Sequence, residues 1–198
     1  MTLSEEIKLI ITNQTKTEKL KLGDFVSHFG KRSSSFLIVL LSLPIALPFT
    51  PPGINTPFAV ICIILGFDII LNKKELILPK WVSNISVPFH PDGKFFTSMD
   101  KLLKKIETIV KPRWSSIIDN KYSKVFFGVG IICASIVMLL PLPVINSLSS
   151  LIVLLIGVGL ITKDGVVATI ANILGILLLV IALGLIMYGL YFGVSFFK

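Results

Sequence analysis

Long runs of uncharged residues set the strongest limit on how this 198-residue chain folds. Charged segments separate the runs, and Asp68 is the one charged residue within them. The hydrocarbon core of a bilayer requires such blocks because it excludes charge. Only 15% of the residues are charged, against about 25% in soluble domains. The pattern predicts an all-α integral membrane protein. The runs are residues 36–49, 57–71, 125–146, 151–161 and 166–197.

The basic residues gather beside the apolar runs. The formal net charge is +8, and residues 72–124 carry eleven Lys or Arg against five Asp or Glu. The positive-inside rule and anionic lipid explain this placement, so we expect membrane lipid and no nucleic acid as a partner. The polar first 22 residues have no apolar core of a cleavable signal peptide. We predict a multi-pass protein of a bacterial inner membrane, with the N-terminus and the central basic segment in the cytoplasm.

Two parts of the chain each contain a pair of short apolar stretches interrupted by proline. Residues 36–47 would form a helix of about 18 Å, too short for a hydrocarbon core of about 30 Å. Proline removes a backbone donor and clashes with the preceding turn, so a helix kinks or ends there. No charge separates the stretches, and we predict two re-entrant helical hairpins with their breaks buried in protein. The predicted helix breaks are Pro44, Pro48, Pro52, Pro141 and Pro143.

We predict one membrane domain over residues 1–198, made of five segments. Residues 166–194 are long enough to span the membrane with some tilt. Residues 99–110 are amphipathic and are expected to lie on the cytoplasmic leaflet. The segments are N-terminal cytoplasmic or interfacial helices (1–32), a first broken-helix unit (33–72), a basic amphipathic connector (73–123), a second broken-helix unit (124–163) and a C-terminal transmembrane helix (164–198).

A shift of 91 residues aligns the two broken-helix units without a gap. The alignment matches Pro, Asn, hydroxyl and Gly residues. Such matches arise by chance less often than matches of apolar residues, which are abundant in this sequence. Interrupted apolar segments at corresponding places in two halves are typical of transporter sites. The sequence leaves open whether the repeat is inverted or parallel. The matched pairs are Pro52 and Pro143, Ile54 and Ile145, Asn55 and Asn146, Thr56 and Ser147, Ile61 and Ile152, and Gly66 and Gly157.

Two alternatives describe the repeated Asn and hydroxyl pair. Asn at a helix start accepts a hydrogen bond from a backbone N–H and caps the helix. The amides could also line a polar cavity for an ion, water or a small substrate. The candidate lining residues are Asn55, Thr56, Asn146 and Ser147.

Asp68 and Asp164 are candidate charge carriers because a carboxylate at membrane depth is costly and often functional. The alternative for Asp68 is a place at the membrane interface beside Lys73 or Lys74. The alternative for Asp164 is the start of the helix that follows it.

The sequence has no pattern for catalysis, metal or cofactor binding. Its two histidines, His28 and His90, have no partner at a metal or triad spacing. Cys62 and Cys133 lie inside apolar segments and form no Cys-rich metal motif. The glycines show no phosphate-binding or dinucleotide-binding pattern. We therefore expect no enzyme activity, no cofactor and no metal site.

The combination of proline breaks, a central Leu-Pro-Lys-Trp and a late Asp-Gly resembles the ExoD family, named for exopolysaccharide synthesis. The likeness covers the chain from about residue 20 to about residue 185. Asp68 departs from it, because a neutral polar residue is expected at that position. The matching residues are Gly30, Leu43-Pro44 through Pro52-Gly53, Leu78-Pro79-Lys80-Trp81, Val110-Lys111-Pro112-Arg113-Trp114, Pro141-Leu142-Pro143 with Asn146, Gly157-Val158-Gly159-Leu160 and Asp164-Gly165.

The resemblance implies a multi-pass inner-membrane protein linked to exopolysaccharide production and to growth under alkaline conditions, without an established enzyme activity. Our first hypothesis is a transporter or facilitator of a small cation or proton, and a homo-oligomer is left open. The alternatives are a non-transporting accessory of polysaccharide or lipid-carrier handling, and a lipid-handling protein of DedA character. The DedA likeness is one of architecture alone.

Overall fold

The computed structural model describes residues 33–46, 55–72, 79–84, 94–118, 120–140 and 143–196. Every regular element within these ranges is an α-helix. The long apolar runs form the long helices because a helix satisfies every backbone hydrogen bond internally. The helices in these ranges are α1 (Ser33–Ile45), α2 (Asn55–Leu71), α3 (Lys80–Ser83), α4 (Lys94–Ile109), α5 (Ser115–Ile118), α6 (Lys121–Met138), α7 (Pro143–Thr162) and α8 (Gly165–Phe196).

Helices α2 and α6 pack antiparallel through two glycines. A Cβ built on Gly128 would lie 2.7 Å from the backbone oxygen of Gly66, so only glycine permits this approach. A Cβ on Gly66 would lie 2.8 Å from Ile132. One end of the pair is closed by Lys124, whose Nζ donates to Asn72 Oδ1 at 2.7 Å. The end of α2 therefore lies beside the start of α6.

Helices α1 and α7 form a second antiparallel pair. A Cβ on Gly157 would lie 2.9 Å from Val39 and 3.0 Å from Ile38. Further along, Ser150 Oγ donates to the backbone oxygen of Ser42 at 2.6 Å. Helix α1 also contacts α2, and α6 contacts α7, so the four helices close into a bundle.

The contacts fix the direction of each helix in this bundle. Both α2 and α7 run opposite to α1 and α6. We call the end where α1 and α6 finish and α2 and α7 begin the turn end. The opposite end, which holds Asn72, Lys124 and Asp164, is the basic end. The sequence alone could not give this arrangement.

Helix α8 packs along the groove between α6 and α7. A Cβ on Gly159 would lie 2.9 Å from Ala168, and one on Gly175 would lie 3.2 Å from Ile152. Three segments are long and apolar enough to cross a membrane by length and composition, within the described ranges: 121–138, 145–162 and 165–189. Helices α1 and α2 have 13 and 17 residues, about 20 and 26 Å.

Two of the predicted proline breaks fall on described residues, and each lies at or next to a helix boundary. Pro44 lies inside α1, which continues to Ile45. Pro143 is the first residue of α7, where its missing N–H costs no hydrogen bond. Pro48, Pro52 and Pro141 lie outside the described residues.

The amphipathic helix α4 packs part of its apolar face against the bundle. Its residues Leu103 and Ile106 are buried in the protein core, and α4 contacts α1. Ile109 stays exposed, and the place of α4 on the cytoplasmic leaflet stays a prediction. Lys101 and Lys105 are exposed on the other side of the helix.

Candidate functional site

Two buried amide side chains lie at the turn end of the bundle. Asn55 is the first residue of α2 and is 7% exposed, while Asn146 is in the first turn of α7 and is 5% exposed. Within the described parts of the chain, the side-chain oxygen of each has no hydrogen-bond partner. A buried carbonyl without a partner costs about 1–3 kcal/mol, so each oxygen requires an explanation.

The capping alternative does not explain these oxygens. An N-cap side chain accepts from a backbone N–H two or three residues on, and neither Asn55 Oδ1 nor Asn146 Oδ1 accepts any hydrogen bond. The neighbouring hydroxyls differ from each other, since Thr56 is exposed and Ser147 is half-buried. Thr56 is therefore not part of the buried polar set.

Besides the two amides, the bundle contains several buried serine side chains. Ser42, Ser149 and Ser150 are buried, and each of their hydroxyls donates to a backbone oxygen. Ser135 is fully buried on α6, yet its hydroxyl has no partner. Single serines within apolar runs gave little signal in the sequence, so these residues were not predicted.

A further amide, Asn172, lies between α8 and α6 and was not predicted. Its Nδ2 donates to the backbone oxygen of Phe126 at 3.0 Å, and its Oδ1 has no partner. A Cβ on Gly130 would lie 1.8 Å from that oxygen, so the amide fills space that the glycine leaves open. Asn172 lies outside the 91-residue repeat, which is why the repeat did not reveal it.

Asp68 lies near the basic end of the bundle. It is half-buried in the last turn of α2, and Ser34 Oγ donates to its Oδ2 at 2.5 Å. Its predicted neighbours, Lys73 and Lys74, lie outside the described residues, and Ser34 was not predicted.

Asp164 holds the start of α8. It is fully buried, and its Oδ1 accepts from the backbone N–H groups of Val166 and Val167 at 3.1 and 3.2 Å. Its Oδ2 accepts from the backbone N–H of Lys111 at 2.8 Å. This geometry favours the alternative in which Asp164 starts the helix, because three backbone donors occupy the carboxylate.

The structure does not bring the two acids and the two repeated amides together. Asn55 and Asp68 are separated by 13 residues of one helix, about 20 Å. Asn146 and Asp164 likewise lie at opposite ends of α7. Among the described residues, no three His, Cys, Asp or Glu side chains are grouped as metal ligands. The candidate residues are therefore the two amides, which share the turn end but lie on α2 and α7, diagonally across the bundle.

Comparisons with known proteins relate nearly the whole chain to one family. Residues 3–186 match the family model described as "Exopolysaccharide synthesis, ExoD". The uncharacterized protein slr1875 of Synechocystis sp. is 26% identical over 185 residues, which cover 93% of this chain and 87% of that protein. Protein ExoD of Rhizobium meliloti is 26% identical over 149 residues, 74% of this chain and 62% of its own length. No solved structure matches the chain.

Proposed function

Because the chain belongs to the ExoD family, we propose that it is a multi-pass inner-membrane protein that conducts a small cation or proton. The proposed flux supports exopolysaccharide synthesis and tolerance of alkaline conditions, both of which the resemblance to ExoD implies. The observation that carries the proposal is the pair of buried, unpartnered amide oxygens, Asn55 Oδ1 and Asn146 Oδ1.

The chemistry of these oxygens favours a cation. An amide oxygen only accepts hydrogen bonds, so it binds a cation, a protonated water or a neutral donor rather than an anion. Neither Asn55 nor Asn146 brings a fixed charge to the turn end. The proposed site therefore offers neutral oxygen ligands to an ion that sheds part of its water.

We further propose that the two units, residues 33–72 and 124–163, form a parallel repeat. A Cβ on Gly66 would lie within 4 Å of residues 128, 131 and 132 on α6, and a Cβ on Gly157 within 4 Å of residues 35, 38 and 39 on α1. Both sets have the same spacing along the facing helix. Asn72 and Lys163, 91 residues apart, both have a positive φ at the end of their helices.

A parallel repeat puts both amides at one end, as a shared site requires. Its two-fold axis runs along the helices and exchanges α1 with α6 and α2 with α7, which have matching directions. An inverted repeat would instead reverse α1 relative to α6. The two-fold axis places both units at the same depth, and the lengths of α1 and α2 support the predicted re-entrant hairpins. The lengths of α6 and α7 also suit full spans.

Flux through reconstituted protein tests the proposed function. Purified protein is placed in liposomes with a pH-sensitive dye, and gradients of sodium, potassium or pH are imposed. We expect flux of one ion in the wild type and about tenfold or greater loss in Asn55→Ala and in Asn146→Ala, because each removes one oxygen ligand.

Asn84→Ala is the matched control, since Asn84 is exposed and outside the bundle. It should conduct like the wild type. Flux that is equal in all four proteins would overturn the role of the amides. Absence of flux for every ion, with lipid carrier copurifying, would favour a non-transporting accessory of polysaccharide or lipid-carrier handling.

A further inference from the structure

The loop between α4 and α5 is fastened by its backbone to the start of α8. The backbone N–H of Lys111 donates to Asp164, and the backbone N–H of Gly165 donates to Arg113 O at 2.7 Å. A Cβ on Gly165 would lie 2.8 Å from the backbone oxygen of Trp114, so the loop fits against a glycine. Its backbone polar groups therefore face the protein.

The side chains of this loop face outward. Lys111 and Arg113 are exposed, and no described carboxylate forms an ion pair with either. Trp114 is 64% exposed and has a φ of 54°, a left-handed conformation that is uncommon for a non-glycine residue. Two unpaired cations and an aromatic ring thus project from a loop with a fixed backbone.

The loop lies at the level where two membrane-length helices begin. It is bonded to the first residue of α8, and α5 directly after it contacts α6 and α8. Tyr122, in the first turn of α6, is 83% exposed. Exposed Trp and Tyr beside the ends of apolar helices are typical of the headgroup region of a bilayer.

We propose that Lys111, Arg113 and Trp114 form a binding site for the phosphate headgroup of an anionic membrane lipid. Arg presents two parallel N–H donors that match phosphate oxygens, and Lys adds a point charge. The indole ring occupies the boundary between headgroup and acyl chains. Free phosphate would use the two cations but would leave the exposed ring without a role, so we assign a lipid.

Quenching of Trp114 fluorescence by brominated lipid tests the site. Trp81→Phe leaves Trp114 as the single tryptophan. The protein is reconstituted in vesicles that contain phosphatidylcholine and either brominated phosphatidylglycerol or brominated phosphatidylcholine. We expect relative association with the anionic lipid to be at least about fivefold higher, since one basic residue alone contributes about that factor near an anionic surface and the site has two.

Lys111→Gln with Arg113→Gln should bring this ratio close to one. Lys101→Gln with Lys105→Gln removes the same charge from exposed residues of α4 and should leave the ratio unchanged. Equal unfolding temperatures would show that both double variants are folded. A ratio near one in the parent, or an equal loss in both double variants, would overturn the proposal. So would loss of the preference on adding inorganic phosphate at constant ionic strength.

Discussion

At the scale of single residues, the buried polar atoms fall into two classes. The side chains of Asp164 and Ser150 form hydrogen bonds that connect helices or helix ends, and Ser42 Oγ donates to Ile38 O within α1. The side-chain oxygens of Asn55 and Asn146 find no partner among the described residues, although both residues are buried. Satisfied groups stabilise the fold, whereas unpartnered ones lower its stability and are retained where function requires them.

Replacement of Asp164 should lower stability strongly. Asp164→Ala removes the acceptor of three backbone N–H groups, and we expect a loss of about 2–4 kcal/mol in the free energy of unfolding. Thermal unfolding in detergent measures this effect. Asp164→Asn keeps one acceptor oxygen and should lose less. If Asp164→Ala were as stable as the wild type, Asp164 would not be the anchor of α8.

Ser150 and Ser135 should respond differently to the same change. Ser150→Ala removes a buried hydrogen bond to Ser42 and should cost about 0.6–1 kcal/mol. Ser135→Ala removes a hydroxyl without a partner and should be neutral or slightly stabilising. Chemical unfolding measures the change in unfolding free energy of each variant and tests whether the two changes differ. Equal losses would show that Ser135 has a partner in the membrane.

How far the sequence predicts the site depends on which residues the repeat marks. Asn55 and Asn146 could be predicted because they recur at the same place in both units. Asn172 and Ser135 could not, because neither has a polar counterpart 91 residues away that signals it. The partner of Asp164 could not be predicted either, since Lys111 acts through its backbone, which no sequence pattern reveals.

At the scale of the elements, glycines decide which helices pair. The sequence predicts the long helices well because charge-free runs have few alternatives in lipid. It does not predict that α1 pairs with α7 and α2 with α6. Apolar helix faces resemble one another in composition, and small residues choose among them by permitting close approach.

Gly128→Ala should therefore weaken the pairing of α2 with α6. The added Cβ would lie 2.4 Å from Ile70 and 2.7 Å from the backbone oxygen of Gly66, so the two helices must separate. We expect a loss of about 1–3 kcal/mol in unfolding free energy. Gly184→Ala is the control, because nothing lies within 4 Å of a Cβ at that position. Equal stability of the two variants would contradict the close approach.

At the scale of the whole molecule, the directions of the helices determine which candidate residues share one end of the bundle. Both amides lie at the turn end only because α2 and α7 run the same way. Both acids lie toward the basic end, about 20 Å away along α2. The structure therefore separates the two neutral amides at one end from the two acids and the exposed basic loop at the other.

The distance between spin labels tests this arrangement most directly. Labels are placed in a Cys62→Ala, Cys133→Ala background at Thr56→Cys with Leu139→Cys, and at Thr56→Cys with Tyr122→Cys; all three sites are exposed. Residues 122 and 139 lie about 26 Å apart along α6. We predict that the distance from 56 to 139 is shorter than that from 56 to 122 by about 20 Å. If the distance from 56 to 122 were instead the shorter one, the end of α6 would lie opposite to the start of α2. Asn55 and Asn146 would then be at opposite ends of the bundle, which would contradict a shared site.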